Sequence, residues 1–271
     1  MRPPGTTVAS VRVIDDGEER GREDVLATEE PLEIRLEGAG TLAVTMRTPG
    51  ADFELAAGFL YTESVIDGRR SVQRISYCVD GGEQRYNAVT VRLSGPVPDL
   101  TSMERYGTVS SACGVCGKAS LDALRRRGIE PLPEGEPRVR VETLFTLPDA
   151  LRSAQRNFAV TGGLHAAGLF TVDGSCLAVR EDVGRHNAVD KVIGWALLRD
   201  RLPLTDAVLV VSGRAGFEIV QKAAAARIPI VGAVSAPSSL AVDVAKEFGL
   251  TLVGFLRGRR TNVYAGRSRL V

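Results

Sequence analysis

The spacing of apolar and polar positions changes character in blocks along this chain. Residues 8–14 alternate, and residues 32–36 and 42–46 are short alternating runs separated by Glu37-Gly38-Ala39-Gly40, a hairpin signal. Residues 52–61 switch to helical spacing: Phe53, Ala56, Ala57 and Leu60 share one face, and Asp52 is placed to act as N-cap. Residues 72–79 and 88–93 return to strand texture around the turn Asp80-Gly81-Gly82-Glu83. Up to about residue 107 the chain predicts a small α+β unit.

Beyond residue 140 the texture differs. Residues 158–162 predict a strand, and residues 169–172 and 175–179 flank Asp173-Gly174, a tight hairpin signal. A helix over 187–199, a strand over 207–212, a helix over 217–227, a strand over 228–235, a helix over 239–248 and a strand over 250–256 follow. Strands that are apolar almost throughout, alternating with helices, predict a mainly parallel sheet covered on both faces. Between the two units lie a short amphipathic helix over 119–127, closed by Gly128, and a linker-like run containing Pro131, Pro133, Gly135 and Pro137. The expected class is α/β, organised as residues 1–107, 108–140 and 141–271.

Composition changes this picture little. A chain of 271 residues, 44% hydrophobic and 25% charged, can bury a core without disulfides or metals. The net charge of +1 gives no global reason to expect nucleic acid. Of the 34 basic residues, only Lys118, Lys191, Lys222 and Lys246 are Lys. Arginine suits phosphate recognition, although coding bias also accounts for the total. The first residues open no apolar segment of a signal peptide, no window is long and apolar enough to cross a membrane, and four cysteines form no disulfide framework. These features predict a cytoplasmic protein with reduced thiols.

The chemistry concentrates at Ser111-Ala112-Cys113-Gly114-Val115-Cys116-Gly117-Lys118. A C-x-x-C pair can be half of a zinc site, but Cys78, Cys176, His165 and His186 supply no second close-spaced pair. The zinc deaminase pattern would need Glu where His165 is followed by Ala166-Ala167. Dithiol redox cycling normally follows a buried strand, and residues 101–111 are polar. Sulfur carriage needs an accessible thiolate with reach. Gly114 and Gly117 supply freedom, while Lys118 and the following helix start favour the thiolate. Cys78 and Cys176, by contrast, read as packing residues inside apolar strands.

Several strand ends in the last unit carry small or basic residues: Ser212-Gly213-Arg214, Ser235 before Ala236-Pro237, and Phe255-Leu256-Arg257-Gly258-Arg259-Arg260 ahead of an irregular tail. Such positions bind anions at the carboxyl edge of open sheets. Each taken singly is also ordinary turn chemistry with a solvated basic tail. Two denser segments stand out: Thr161-Gly162-Gly163-Leu164-His165, placed after the predicted strand, and Arg180-Glu181-Asp182-Val183-Gly184-Arg185-His186-Asn187 at a strand-to-helix junction. The second implies either a tight ion network or a ligand. Neither a P-loop nor a complete G-x-G-x-x-G is present.

In this order, the segments around Cys113–Cys116, 161–165, 180–191, 212–214 with Gln221-Lys222-Ala223-Ala224, 235–240 and 252–260 resemble the FdhD family of sulfurtransferases that serve formate dehydrogenase; residues 48–60 also fit. The resemblance implies a persulfide on Cys113, with Cys116 its partner, loaded by a cysteine desulfurase. It implies transfer of that sulfur to the Mo-bis(molybdopterin guanine dinucleotide) cofactor before formate dehydrogenase receives it. Phe255 to Arg260 would contribute to cofactor binding, with His165, Arg185, His186, Ser212, Gly213, Arg214 and Ser235 as further contacts and a guanine nucleotide as partial mimic. A cytidine-deaminase-like three-layer C-terminal domain and a homodimer are also implied. A cofactor-binding chaperone that transfers nothing, or a dithiol oxidoreductase, would use the same residues differently.

Overall fold

The computed structural model describes residues 4–78, 86–98, 100, 121–122, 124–125 and 127–271. Cys113, Cys116, the turn over 80–83 and the bounds of the 119–127 helix lie outside the described residues.

The chain opens with a long antiparallel hairpin, β1 (Thr6–Asp15) and β2 (Glu18–Ala27). It turns on Asp16-Gly17, both at positive φ (51° and 88°), the Asp-Gly chemistry of a tight hairpin. Strands β3 (Glu30–Leu36), β4 (Gly40–Arg47), β5 (Val72–Tyr77) and β6 (Ala88–Leu93) form a four-stranded sheet in the order β4-β3-β6-β5. Helix α1 (Asp52–Thr62) packs Leu55, Ala56, Ala57 and Leu60 into one cluster with Leu32, Ile34, Leu36, Val89 and Val91. Asp52 does not cap this helix. Its carboxylate is taken by Arg47, whose Nε and Nη2 both donate at 3.1 Å, and the N-cap is Ala51 in the left-handed region.

The second half contains α2 (Val141–Ala154), α3 (Arg156–Thr161), β7 (His165–Thr171), β8 (Cys176–Asp182), α4 (Arg185–Leu198), β9 (Ala207–Val211), α5 (Phe217–Ala225), β10 (Ile230–Ala233), α6 (Ser239–Glu247), β11 (Thr251–Arg257) and β12 (Arg260–Ala265). Its six-stranded sheet runs β12-β11-β10-β9-β7-β8. Only β9, β10 and β11 are mutually parallel; β7 pairs antiparallel with β9 and with β8, and β12 antiparallel with β11. The sheet is therefore mixed rather than mainly parallel. The Asp173-Gly174 turn folds β8 back on β7, and Gly258 at φ 56° folds the supposed irregular tail back as strand β12. That tail is also not a solvated basic arm throughout. Arg269 is fully buried and donates to the carbonyls of Glu136 and Gly249 at 2.8 Å each.

Alternation along the strands sorts the core into two faces. Ala167, Leu169, Leu209, Val211, Val231 and Leu252 meet α4, α5 and α6, while Ala166, Phe170, Val208, Val210, Ile230 and Val253 meet α2. The result is a three-layer α/β/α unit. Residues 158–162 are not a strand but the end of α3. The Glu181 carboxylate accepts the free backbone N–H groups of Asn157 (3.0 Å) and Phe158 (2.7 Å), which stabilises a helical turn.

The two halves meet backbone to backbone where α1 crosses α4. A Cβ on Gly58 would lie 1.9 Å from the Asp190 carbonyl oxygen, and one on Gly194 would lie 1.8 Å from that of Glu54. Buried polar contacts flank the crossing. Arg180 pairs bidentately with Glu54 (2.5 and 2.8 Å), Thr62 Oγ1 donates to Asp190 (2.9 Å), and Lys222 reaches Thr62 (3.0 Å) and Asp190 (2.9 Å).

Candidate functional site

The ends of these elements leave a cleft of about 690 Å³ at the carboxyl edge of the parallel strands. Ser212 follows β9, Val234 follows β10, Arg257 and Gly258 end β11, and His165 begins the antiparallel β7; all five border the cleft. The opposite wall is the α2–α3 junction, with Leu151, Arg152, Gln155 and Phe158. Open α/β sheets place ligands at this edge.

His165 is held by its neighbours. Ser212 Oγ accepts the N–H of Ala166 at 2.9 Å, and the Ser212 N–H donates to the Ala166 carbonyl at 3.0 Å. A Cβ on Gly213 would come within 3.1 Å of His165 Nδ1, so glycine leaves room for the ring. Burial, followed by the positive charges of Arg185, His186 and Arg214, pulls the His165 pKa below that of an ordinary histidine. The chain has only two histidines, and both sit here. His186 Nε2 lies 2.5 Å from Glu218 Oε2, and this contact holds the Glu218 carboxyl below the usual carboxylate range. Arg185 Nε is buried without a partner among the described residues. Groups held this way form a region receptive to an anion.

The polar run over 180–187 thus divides between both readings it allowed. Arg180 pairs with Glu54, and Glu181 caps α3. Asp182 pairs with Lys191 at 2.7 Å and accepts from Asn187 at 3.0 Å. Lys191 also donates to the Thr48 carbonyl (2.9 Å), so these residues bind the halves together. Arg185 and His186 stand outside this network and lie near His165, on whose charge both act.

The segment ending β11 is built for a special shape. The β11–β12 register shifts between Gly254 and Arg257, and Phe255 adopts a left-handed φ of 52°, a conformation that non-glycine residues seldom take. Its N–H donates to the Ser235 carbonyl at 3.1 Å, so Ser235 holds the bulge through its backbone. Leu256 has no exposed surface and packs in the core with Val253 and Ile230; it supports the segment from beneath. Arg257, Arg259 and Arg260 are exposed, and the Arg257 guanidinium stands 5.8 Å from the Phe255 ring centroid.

Gln155, Phe158, Arg152 and Glu218 were not evident as site residues from the sequence. Glu218, two residues after Gly216 in the first turn of α5, could have been noticed by its position beside Arg214. The others depend on α3 being a helix. Of the remaining cysteines, Cys78 is half-buried beside Thr90 Oγ1 (2.6 Å), while Cys176 is exposed rather than packed, because it starts β8 at the sheet edge. Among the described residues no cluster of three or more His, Cys, Asp or Glu side chains is placed to hold a metal, and no helix is long and apolar enough to cross a membrane.

A second cleft of about 540 Å³ lies at the far end of α5, bordered by Ala224 and Ala225. Its walls include Pro96 and Pro98 on one side of the cysteine-bearing stretch and Arg127 to Glu130 on the other. The described residues that flank Cys113 and Cys116 therefore meet the fold at the end of α5 opposite Glu218 and the first cleft.

Together these features define a three-layer α/β protein with a basic cleft at its strand ends. The family model described as FdhD/NarQ matches residues 27–271, and the chain belongs to that family. It is 56% identical over 263 residues to the sulfur carrier protein FdhD of Nocardia farcinica, covering 96% of this chain and 92% of that one. It is 57% identical to the sulfur carrier protein FdhD of Streptomyces coelicolor, covering 95% and 93%. Its fold resembles the crystal structure of a putative formate dehydrogenase accessory protein from Desulfotalea psychrophila, with a TM-score of 0.78, 25% identity and coverage of 99% and 100%.

Proposed function

We propose that this protein is a sulfur carrier for formate dehydrogenase. Cys113 takes sulfur from a cysteine desulfurase and passes it to a Mo-bis(molybdopterin guanine dinucleotide) cargo before formate dehydrogenase receives that cargo. In the loading step the Cys113 thiolate attacks the outer sulfur of the donor's persulfide. The donor's S–S bond breaks, its thiolate leaves, and the sulfane sulfur keeps its oxidation level. Cys116 is the partner thiol.

The observation that carries this reading is the placing of His165 and Arg257 on one cleft, with Arg185 and Arg214 near enough to His165 to act on its charge. These side chains come from separate stretches and are brought together only by the strand ends. A cargo bearing pyrophosphates suits such a cleft. The unpartnered Arg185 Nε and the exposed Arg257, Arg259 and Arg260 are the donors that would hold it. When bound, the cargo supplies the metal that accepts sulfur; the chain's own residues bind and orient it. The unit over 141–271, with the deaminase-like topology expected of it, is the cargo-binding part, and residues 1–107 brace it through α1.

The test is mass spectrometry after incubation with a desulfurase and cysteine. A stable gain of one sulfur atom on the peptide carrying Cys113 and Cys116, lost in Cys113→Ala, is expected. No gain would leave a cofactor-binding chaperone, and a disulfide turning over against a reductant would indicate an oxidoreductase. Cys113→Ala that still restored full formate dehydrogenase activity in cells lacking the native carrier would refute the proposal.

A further inference from the structure

The second cleft, where α1 and α5 both end, holds unlike charges that do not pair with one another. Tyr61 stands in the last turn of α1, Ser64 then takes a left-handed φ of 62°, and the chain runs on to Asp67. Arg227 leaves α5 in the same way, at φ 56°, its N–H donating to the Ala224 carbonyl at 3.0 Å. Tyr61, Asp67 and Arg227 all border the cleft.

Their polar groups are uncommitted. Arg127, the other guanidinium at this cleft, is taken by Glu63 at 3.0 Å. The half-buried Arg227 guanidinium has no hydrogen bond or ion pair among the described residues, and neither has the Tyr61 hydroxyl. Asp67 accepts from the Ser71 hydroxyl through Oδ1, which leaves Oδ2. Burial raises the Tyr61 pKa, Arg227 lowers it and Asp67 raises it, so both charges reach the phenol. A cation and an anion that act on one hydroxyl, yet form no ion pair with each other, are costly to keep from water without partners. They match a ligand that carries the opposite pair, a carboxylate and an ammonium, on one small body. Val65, Ile66, Ile129 and Ala224 add apolar surface beside them.

We infer that the second cleft binds a free α-amino acid with an apolar side chain. Its carboxylate accepts from the Arg227 guanidinium and the Tyr61 hydroxyl, and its ammonium donates to Asp67 Oδ2. Its side chain lies on Val65, Ile66, Ile129 and Ala224. A nucleotide has no ammonium for Asp67, and an internal peptide segment has neither free end. The cleft, at about 540 Å³, has ample room for one such molecule. The inference is independent of the sulfur-carrier reading and of the first cleft.

Ligand-observed NMR titration of the full chain tests it with L-methionine, with N-acetyl-L-methionine, which lacks the ammonium, and with L-methioninamide, which lacks the carboxylate. L-Methionine should bind about tenfold tighter than either, the loss expected for one hydrogen bond between charged groups. Arg227→Asn, chosen because asparagine tolerates the left-handed backbone, should weaken L-methionine and N-acetyl-L-methionine about tenfold and leave L-methioninamide unchanged. Asp67→Asn should weaken L-methionine and L-methioninamide and leave N-acetyl-L-methionine unchanged. Tyr61→Phe should follow the Arg227→Asn pattern. A merely structural role for these residues would weaken all the probes together. Equal affinities for the probes, a uniform loss in the variants, or no binding of L-methionine would overturn the inference, whatever the mass measurement of sulfur loading shows.

Discussion

The contact between α1 and α4 makes a prediction with a definite sign. In Gly194→Ala the new Cβ would sit 1.8 Å from the Glu54 carbonyl oxygen, with the backbone N of Gly58 at 2.7 Å. Carbon and oxygen need about 3.3 Å, so the helices must part by roughly 1.5 Å over rigid backbone. Parting them lengthens the Thr62–Asp190 and Lys222–Thr62 hydrogen bonds, now 2.9 and 3.0 Å, beyond bonding range. Overpacking costs about 1–3 kcal/mol, and each lost bond costs about 1 kcal/mol. Alanine's better helix propensity returns about 1 kcal/mol. The net loss is about 2–4 kcal/mol, a fall in melting temperature of roughly 5–15 °C by the scaling for chains of this size. Thermal and urea unfolding measure it. Helix propensity alone predicts a gain, so an unchanged or raised melting temperature would show that the helices do not touch as described. Gly58→Ala, with its Cβ 1.9 Å from the Asp190 carbonyl, should behave alike. The double variant should lose less than the sum, because both changes open the same gap. Gly216→Ala, whose Cβ meets nothing within 4 Å, should lose no more than about 1 kcal/mol, the cost of alanine in place of glycine at this N-cap.

Two further outcomes are expected. Arg257→Ala, Arg259→Ala and Arg260→Ala should each weaken guanine-nucleotide binding, with the deficit shrinking as salt rises, since the residues are exposed; calorimetric affinities unchanged in all three would refute a cargo role for this turn. His165, whose pKa is lowered by burial and by Arg185, His186 and Arg214, should regain basicity when an anion enters the cleft. Binding should therefore take up a proton and tighten as pH falls through the range at and below about 6.5. The free protein should lose stability over the same range, because the unfolded chain binds that proton more readily than the fold does. Calorimetry in two buffers of different ionisation enthalpy reads the uptake, and its persistence in His165→Gln would assign it elsewhere.

How far the sequence foretells this molecule depends on where each feature's cause lies. Strands β9, β10 and β11 and helices α4 to α6 are visible because their own residues carry the period that the core rewards. The Asp173-Gly174 hairpin is visible because its turn chemistry is local. Strand β2 is hidden because most of it, from Glu18 to Glu23, is exposed and needs no apolar alternation. Helix α3 is hidden because Glu181, 24 residues beyond Asn157, supplies its cap. The basic strand ends were readable as a ligand edge from residue type and position. The wall facing them was not, since the every-third-residue spacing of Asp149, Arg152, Gln155 and Phe158 means nothing until 156–161 is helical.

Leu256 shows the same limit inside a segment whose importance was evident. Simple alternation along β11 would put Val253 and Phe255 on one face and Leu256 on the other. Instead Val253 and Leu256 share the α2-side core, and Leu256 has no exposed surface. The register shift with Phe255 at φ 52° explains this, because a bulge exchanges the faces of all that follow. The strained residue is therefore what turns Leu256 into the α2-side core beside Val253, next to the exposed Arg257 at the mouth of the cleft. Its conformation is maintained by the Ser235 carbonyl and by Gly254, where a Cβ would meet Pro237 at 2.8 Å and Tyr264 at 3.0 Å. Strain of this kind persists only where the surroundings enforce it. Here they do so beside Arg257 and Gly258, which links the unusual backbone to the cleft rather than to the core.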